Sequence, residues 1–97
     1  MHFFNKQGKP ISSTEATKLL EARDYRTVGR EKLQDGTIVS TVWLGIDHSF
    51  GGGTPILFET MVFDPLGESV ESRRYCTEAE ALEGHAQAVA AWKMIVE

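Results

Sequence analysis

The stretch GIDHSFGGGTP, Gly45 to Pro55, sets an acid, a histidine, an aromatic ring and three consecutive glycines into one connection. Asp47 and His48 are the side-chain types that general acid–base catalysis uses. They are adjacent, however, and adjacent residues leaving a strand point to opposite sides. We therefore assign no catalytic residue. Binding asks less of the same segment. Gly51, Gly52 and Gly53 offer backbone N–H groups that a ligand can approach closely, and glycine permits a nest-like curve around an anion or a carbonyl. His48 would donate to that ligand and Phe50 would stack on a planar ring. The plain alternative is a long hairpin loop, in which glycine relieves strain and Asp47 caps the turn. A phosphate-loop signature is missing, because neither Gly-Lys-Ser/Thr nor a strand-to-helix context follows the glycines.

The arginines come next. Arg26 and Arg30 are spaced by four, Arg23 sits just before them, and Arg73 and Arg74 are consecutive, so one of that pair faces each way along a strand. Guanidinium groups so placed can clamp a phosphate or a carboxylate bidentately, or remain solvated surface. Glu59 falls among apolar residues and needs a partner, either Arg73 or Arg74 or a bound ligand. His85, on an apolar helix face, reads as a satisfied core or interface histidine. His2, His48, His85 and Cys76 show no ligand-like spacing, so no metal site and no cofactor is assigned. Cys76 precedes a helix cap without a recognisable base partner.

These residues must be positioned by a small set of elements. HFFN forms a short strand and NKQG a turn. SSTEATKLLEA forms a short helix, with Ser12 and Glu15 as its capping box and Ala16, Leu19 and Leu20 as its buried stripe. Tyr25 to Leu33 reads as an edge strand with Arg26, Val28, Arg30 and Lys32 on one face. Gln34, Asp35 and Gly36 make a hairpin signal into TIVSTVWLGI, with Val39, Thr41 and Trp43 on one side and Ile38, Val42 and Leu44 on the other. ILFETMVF sets Phe58, Thr60 and Val62 against Glu59, Met61 and Phe63. DPLG is a type I turn, and ESVESRRY is a more polar last strand. Thr77 and Glu80 then cap a long helix whose stripe is Leu82, His85, Ala86, Val89, Trp92 and Val96.

The expected fold is α+β, an antiparallel sheet of four to five strands with a short N-terminal helix and a long C-terminal helix packed on one face, in a single domain over residues 1–97. The other face would then present Trp43, Met61 and Phe63, either to a crossing helix or to a second copy of the chain. We expect a homo-oligomer.

Composition narrows the partners. The 97 residues carry 41% hydrophobic and 25% charged side chains, an ordinary globular balance. A formal charge of −4 argues against nonspecific binding to nucleic acid or to an anionic membrane. No run approaches the roughly 18 apolar residues of a membrane span, and MHFFNKQGKP lacks the apolar core of a signal peptide. One cysteine cannot form an internal disulfide, which suits a reducing, cytoplasmic setting.

The run VSTVWLGIDHSFGGGTPILFETMVF, followed by RRYCTEAEALEGHAQAV, resembles a recurring family of small proteins encoded in phage and prophage genomes, over Val39 to Val89. The resemblance carries no catalytic residues with it. It implies a host-cell setting in which small acidic phage proteins act as counter-defence or host-takeover factors, some of them compact oligomers that sequester nucleotide-derived immune signals. On that expectation the protein binds a small nucleotide-like ligand without catalysis. Gly51, Gly52 and Gly53 supply backbone donors, His48 donates, Phe50 or Trp43 stacks, and Arg73 or Arg26 neutralises charge. Asp47 belongs to the same loop. Two other expectations stand beside this one: an inhibitor that binds a host defence protein through the apolar sheet face, and a small nucleotide hydrolase or lyase using Asp47 and His48.

Overall fold

The computed structural model describes residues 2–49 and 52–97. The chain opens with β1 (Phe3–Phe4), β2 (Pro10–Ile11), α1 (Ser13–Glu21) and a single helical turn, α2 (Arg23–Arg26). A meander follows, β3 (Thr27–Lys32), β4 (Ile38–Trp43), β5 (Phe58–Phe63) and β6 (Ser69–Tyr75), and α3 (Glu78–Val96) closes the order. The fold is α+β, a four-stranded antiparallel sheet in the order β3-β4-β5-β6 with a separate two-stranded β1-β2 sheet.

Local chemistry accounts for most boundaries. Ser12 Oγ accepts from Glu15 N–H at 3.1 Å to start α1. Thr77 and Glu80 form a complete capping box at α3, with Glu80 N–H donating to Thr77 Oγ1 and the Glu80 carboxylate accepting from Thr77 N–H. In the β5–β6 turn the Asp64 carboxylate accepts from the N–H groups of Leu66 and Glu68, both at 2.9 Å.

Three expectations are corrected. Tyr25 to Leu33 is not one strand: Arg23–Arg26 close a helical turn, with Arg26 N–H donating to Ala22 C=O, before β3 begins at Thr27. A register shift between Thr27 and Gly29 then breaks the simple alternation expected for Arg26, Val28, Arg30 and Lys32. The second correction concerns the sheet faces. Trp43 lies opposite Phe58, Thr41 opposite Thr60 and Val39 opposite Val62, so Trp43 shares a face with those residues and not with Met61 and Phe63. All six are buried.

The third correction is the stripe of α3. Its buried residues are Ala81, Gly84 and Ala88, whereas Leu82 and Ala86 are exposed. His85, Val89, Trp92 and Val96 remain half-buried. Small residues win the contact face because α3 lies close on the sheet. A Cβ built on Gly84 would stand 2.2 Å from the Tyr75 hydroxyl, and one on Gly29 of β3 would stand 2.8 Å from the His85 ring. Both glycines are therefore required by close approach.

The inner sheet face carries the core. Trp43, Leu57, Phe58 and Ala81 form one cluster that gathers Phe4, Ile11, Leu19, Leu20, Tyr25, Val28 and Tyr75 around it. Val39, Val62 and Ala88 form a second, with Val89 and Trp92. Burying a side chain such as Leu57 or Phe58 stabilises the fold by about 1.5–3 kcal/mol. α1 and α3 thus cover the same face, and Ile38, Met61 and Phe63 stand half-buried on the opposite one.

Candidate functional site

The arginine group of the N-terminal half converges in space. α2 ends directly at the edge strand β3, so Arg23 and Arg26 from the helical turn stand beside Arg30 from the strand. Together with Thr27, Ser40 and Val42 they line a cleft of about 390 Å3. Ser40 lies opposite Arg30 and Val42 opposite Thr27, which places the floor on the outer sheet face, away from α3. Among the described residues the ion pairs are Lys6 with Glu78, Arg73 with Glu71 and Arg74 with Glu59. Arg23, Arg26 and Arg30 therefore have no carboxylate within salt-bridge reach. The Arg26 guanidinium donates through one nitrogen to Leu20 C=O at 3.3 Å, which orients the group and leaves its other N–H donors for the cleft. Three guanidiniums held near one another without a counter-charge repel, and a bound anion relieves that repulsion.

The glycine-rich loop is organised differently. The Asp47 carboxylate accepts from Ser49 N–H at 2.8 Å, Ser49 Oγ at 2.9 Å and Ile56 N–H at 2.9 Å, closing the base of the loop. The Ser49 N–H bond, followed by those of Ile56 N–H and the Ser49 hydroxyl, holds the Asp47 carboxyl below the ordinary carboxylate value. His48 is half-buried, and its backbone N–H donates to Ile56 C=O at 2.9 Å. Gly52 and Gly53 have φ of 94° and 92°, the left-handed region, and nothing lies within 4 Å of a Cβ built on either. Phe50 and Gly51 lie outside the described residues. The arginine cleft and the loop are separate places in the fold, so the structure does not bring His48, Gly52 or Gly53 to the lining of the cleft that holds Arg26.

Of the remaining expected ligand contacts, Trp43 is buried and Arg73 is paired within the protein. Trp43 is 1% exposed; its Nε1–H donates to Phe4 C=O at 3.0 Å and its ring meets Tyr25 edge to face at 5.1 Å. No face of that ring is left for a ligand. Arg73 projects on the inner side opposite Thr60 and is paired with Glu71, which also accepts from Trp92 Nε1–H at 3.0 Å. The Arg73 bond, with Trp92 adding to it, keeps the Glu71 carboxyl below its usual value. Glu59 finds its partner in Arg74, at 3.1 Å across the outer face.

Comparison with family models, curated proteins and solved structures yields no match. The chemistry must be read from this chain's own groups. Among the described residues no cluster of three or more His, Cys, Asp or Glu could hold a metal, and no helix is long and apolar enough to cross a membrane. A smaller cavity of about 180 Å3 near Lys6, Leu57 and Cys76 flanks the start of α3.

One polar constellation had no sequence signal beyond shared strand parity. Tyr75 hydroxyl donates to Thr60 Oγ1 at 3.2 Å, Thr60 and Thr41 hydroxyls lie 2.5 Å apart, and Thr41 Oγ1 lies 2.7 Å from His85 Nδ1. A single polarity, Tyr75 to Thr60 to Thr41 to Nδ1, satisfies every member when His85 is neutral. Burial pushes His85 below its ordinary value, against the opposing pull of Glu31. With both threonines buried beneath α3, this chain is part of the packing.

The sequence identified Arg26 and placed Arg30 and Arg23 beside it by spacing. It missed Thr27, Ser40 and Val42, because the helical turn at Arg23–Arg26 and the irregular β3–β4 register define which residues form the floor.

Proposed function

We propose that this protein is a non-catalytic binder of a small phosphate-bearing anion, held in the cleft of Arg23, Arg26 and Arg30, and that it withholds that ligand from the machinery that would use it. One observation carries the reading: three guanidiniums without a carboxylate partner line a single cleft. Its size falls within the about 300–1,000 Å3 of small-molecule sites. Its lining is polar where such sites are commonly apolar, so charge and bidentate hydrogen bonding supply the affinity. The resemblance to small phage proteins suggests the setting, sequestration of a nucleotide-derived signal in the host cytoplasm. The proposed recognition in the cleft rests on the phosphates and not on a base, in keeping with a lining of Arg23, Arg26, Thr27, Arg30, Ser40 and Val42.

The test is thermal unfolding with pyrophosphate and with a nucleoside diphosphate, each against chloride at matched ionic strength. At a ligand concentration 100 times Kd the stabilisation is about 2.7 kcal/mol. The double variant Arg26→Gln/Arg30→Gln loses it. Equal stabilisation of the parent and the double variant, or none in the parent, overturns the assignment. Recovery of the bound nucleotide chemically unchanged supports retention, and its conversion supports the hydrolase or lyase reading instead.

A second reading, inhibition of a host protein through the sheet, is favoured by Ile38, Met61 and Phe63 standing half-buried opposite α3. Met61→Asp separates the two: it abolishes capture of a host protein and leaves the pyrophosphate shift in place.

A further inference from the structure

The floor of the arginine cleft continues past its margin. Ser40 and Val42, which line it, lie on the outer sheet face, and Met61 of β5 stands directly opposite Ser40. Phe63 is opposite Ile38, hence diagonal to Ser40 on the same face. Residues directly opposite in a sheet are about 4.5–5.5 Å apart, and diagonal ones about 7–8 Å. An apolar step of Met61 and Phe63 therefore begins one strand away from the cleft. Its two positions are spaced as the ribose and base of a nucleotide are from the phosphates.

Phe63 stands outside the core. It belongs to neither buried cluster, and the aromatic pair among the described residues is Tyr25 with Trp43. α1 and α3 cover the opposite face, so Met61 and Phe63, both half-buried, keep one side toward solvent. Charge then fixes the direction in which a ligand leaves the cleft. From Val42 the sheet leads to Glu59, which accepts from Arg74 Nε at 3.1 Å. A ring laid over that row would have to desolvate an ion pair. From Ser40 it leads to Met61 and Ser72, neither of them charged, and diagonally to Phe63. There a planar ring buries apolar surface and strips water from no charge.

We infer that Met61 and Phe63 form the base-binding step of this site. The ligand is a nucleoside polyphosphate, with its phosphates in the arginine cleft and its base lying flat on the Phe63 ring, Met61 at its edge. The inference rests on the reading of the cleft as a phosphate site. The occupant of this face is a nucleotide because the cations that bind phosphate stand at the margin of the apolar step, within one nucleotide's length of it. Stacking on an aromatic side chain and thioether contact with a ring both stabilise such an arrangement, and sheet faces bearing aromatic residues recur as platforms for bases. One stacked base adds about tenfold in affinity.

The test is isothermal titration calorimetry of the full chain with pyrophosphate and with ADP at matched ionic strength, two ligands of nearly the same charge that differ by the nucleoside. ADP binds the parent about tenfold more tightly. Phe63→Leu keeps an apolar side chain and removes the ring; it reduces ADP to the affinity of pyrophosphate and leaves pyrophosphate unchanged. Phe63→Trp retains the advantage of ADP. With the methionine methyl groups labelled for NMR, ADP shifts the Met61 signal through the ring current of the base and pyrophosphate does not, while Met94 on α3 is unmoved by both. Failure of pyrophosphate to bind the parent overturns the reading of the cleft, and this inference with it. Pyrophosphate binding with ADP no tighter overturns the inference alone. So does an equal loss of both ligands in Phe63→Leu, or a Met61 signal that ADP leaves in place.

Discussion

Replacing Gly84 with alanine should destabilise this protein, although the same change in an exposed helix stabilises. In a helix interior alanine is favoured over glycine by about 1 kcal/mol. Against that gain stands Tyr75: the new methyl group would lie 2.2 Å from its hydroxyl and 2.3 Å from two ring carbons. Ordinary contact begins at 3.4 Å, so the ring or the helix must give by more than 1 Å. Neither is free to move. The ring belongs to the cluster of Trp43, Leu57, Phe58 and Ala81, and its hydroxyl is bonded to Thr60. Lifting α3 would stretch the 2.7 Å bond between His85 and Thr41. Overpacking of this kind costs about 1–3 kcal/mol, and displacing α3 also loses part of the buried hydrogen-bond chain, at about 1 kcal/mol per bond. The expected net loss is about 1–3 kcal/mol, or a fall in Tm of about 4–24 °C for a domain of this size. Urea unfolding followed by circular dichroism measures it, with Ala91→Gly at an exposed position of α3 as the reference for pure propensity. If Gly84→Ala raises the midpoint by the propensity increment, α3 does not lie as close to β6 as the geometry requires.

Two further outcomes follow from the titrating groups. Because burial holds His85 below the ordinary histidine value of 6.5, the unfolded chain takes up a proton before the folded one. The contribution of His85 is thus fully present above that value and is lost as pH falls below it; His85→Gln should flatten this part of a stability–pH profile, and an unchanged profile would refute the neutral assignment. Asp47, also lowered, contributes stability that is present above the ordinary 3.8 and lost as pH falls further. Asp47→Ala should release the base of the loop, seen as faster amide hydrogen exchange at Ser49 and Ile56 while β4 and β5 keep their protection.

Sequence alone determined what depends on neighbours along the chain. Ser12 with Glu15 and Thr77 with Glu80 marked α1 and α3 at their first turns, Asp64 marked the β5–β6 turn, and alternation in β4 and β5 gave the correct two sides of each strand taken singly. Asp47 as a turn cap was also among the readings open at that level. Tertiary structure alone decided which sides meet. Trp43 joins Phe58 and leaves Met61 and Phe63 on the far face because pairing register is set between strands, and a slip of one residue exchanges every side chain. Ala81, Gly84 and Ala88 displace Leu82 from the buried stripe because the distance between α3 and the sheet, with Tyr75 beneath, rewards small side chains over apolar ones. Arg23, Arg26 and Arg30 share a cleft because one helical turn ends against an edge strand, whereas Arg73, equally cationic in sequence, is taken up by Glu71 two residues away. Charge and spacing name the residues able to hold an anion; which of them stay unpaired is settled by where the carboxylates fall once the chain has folded.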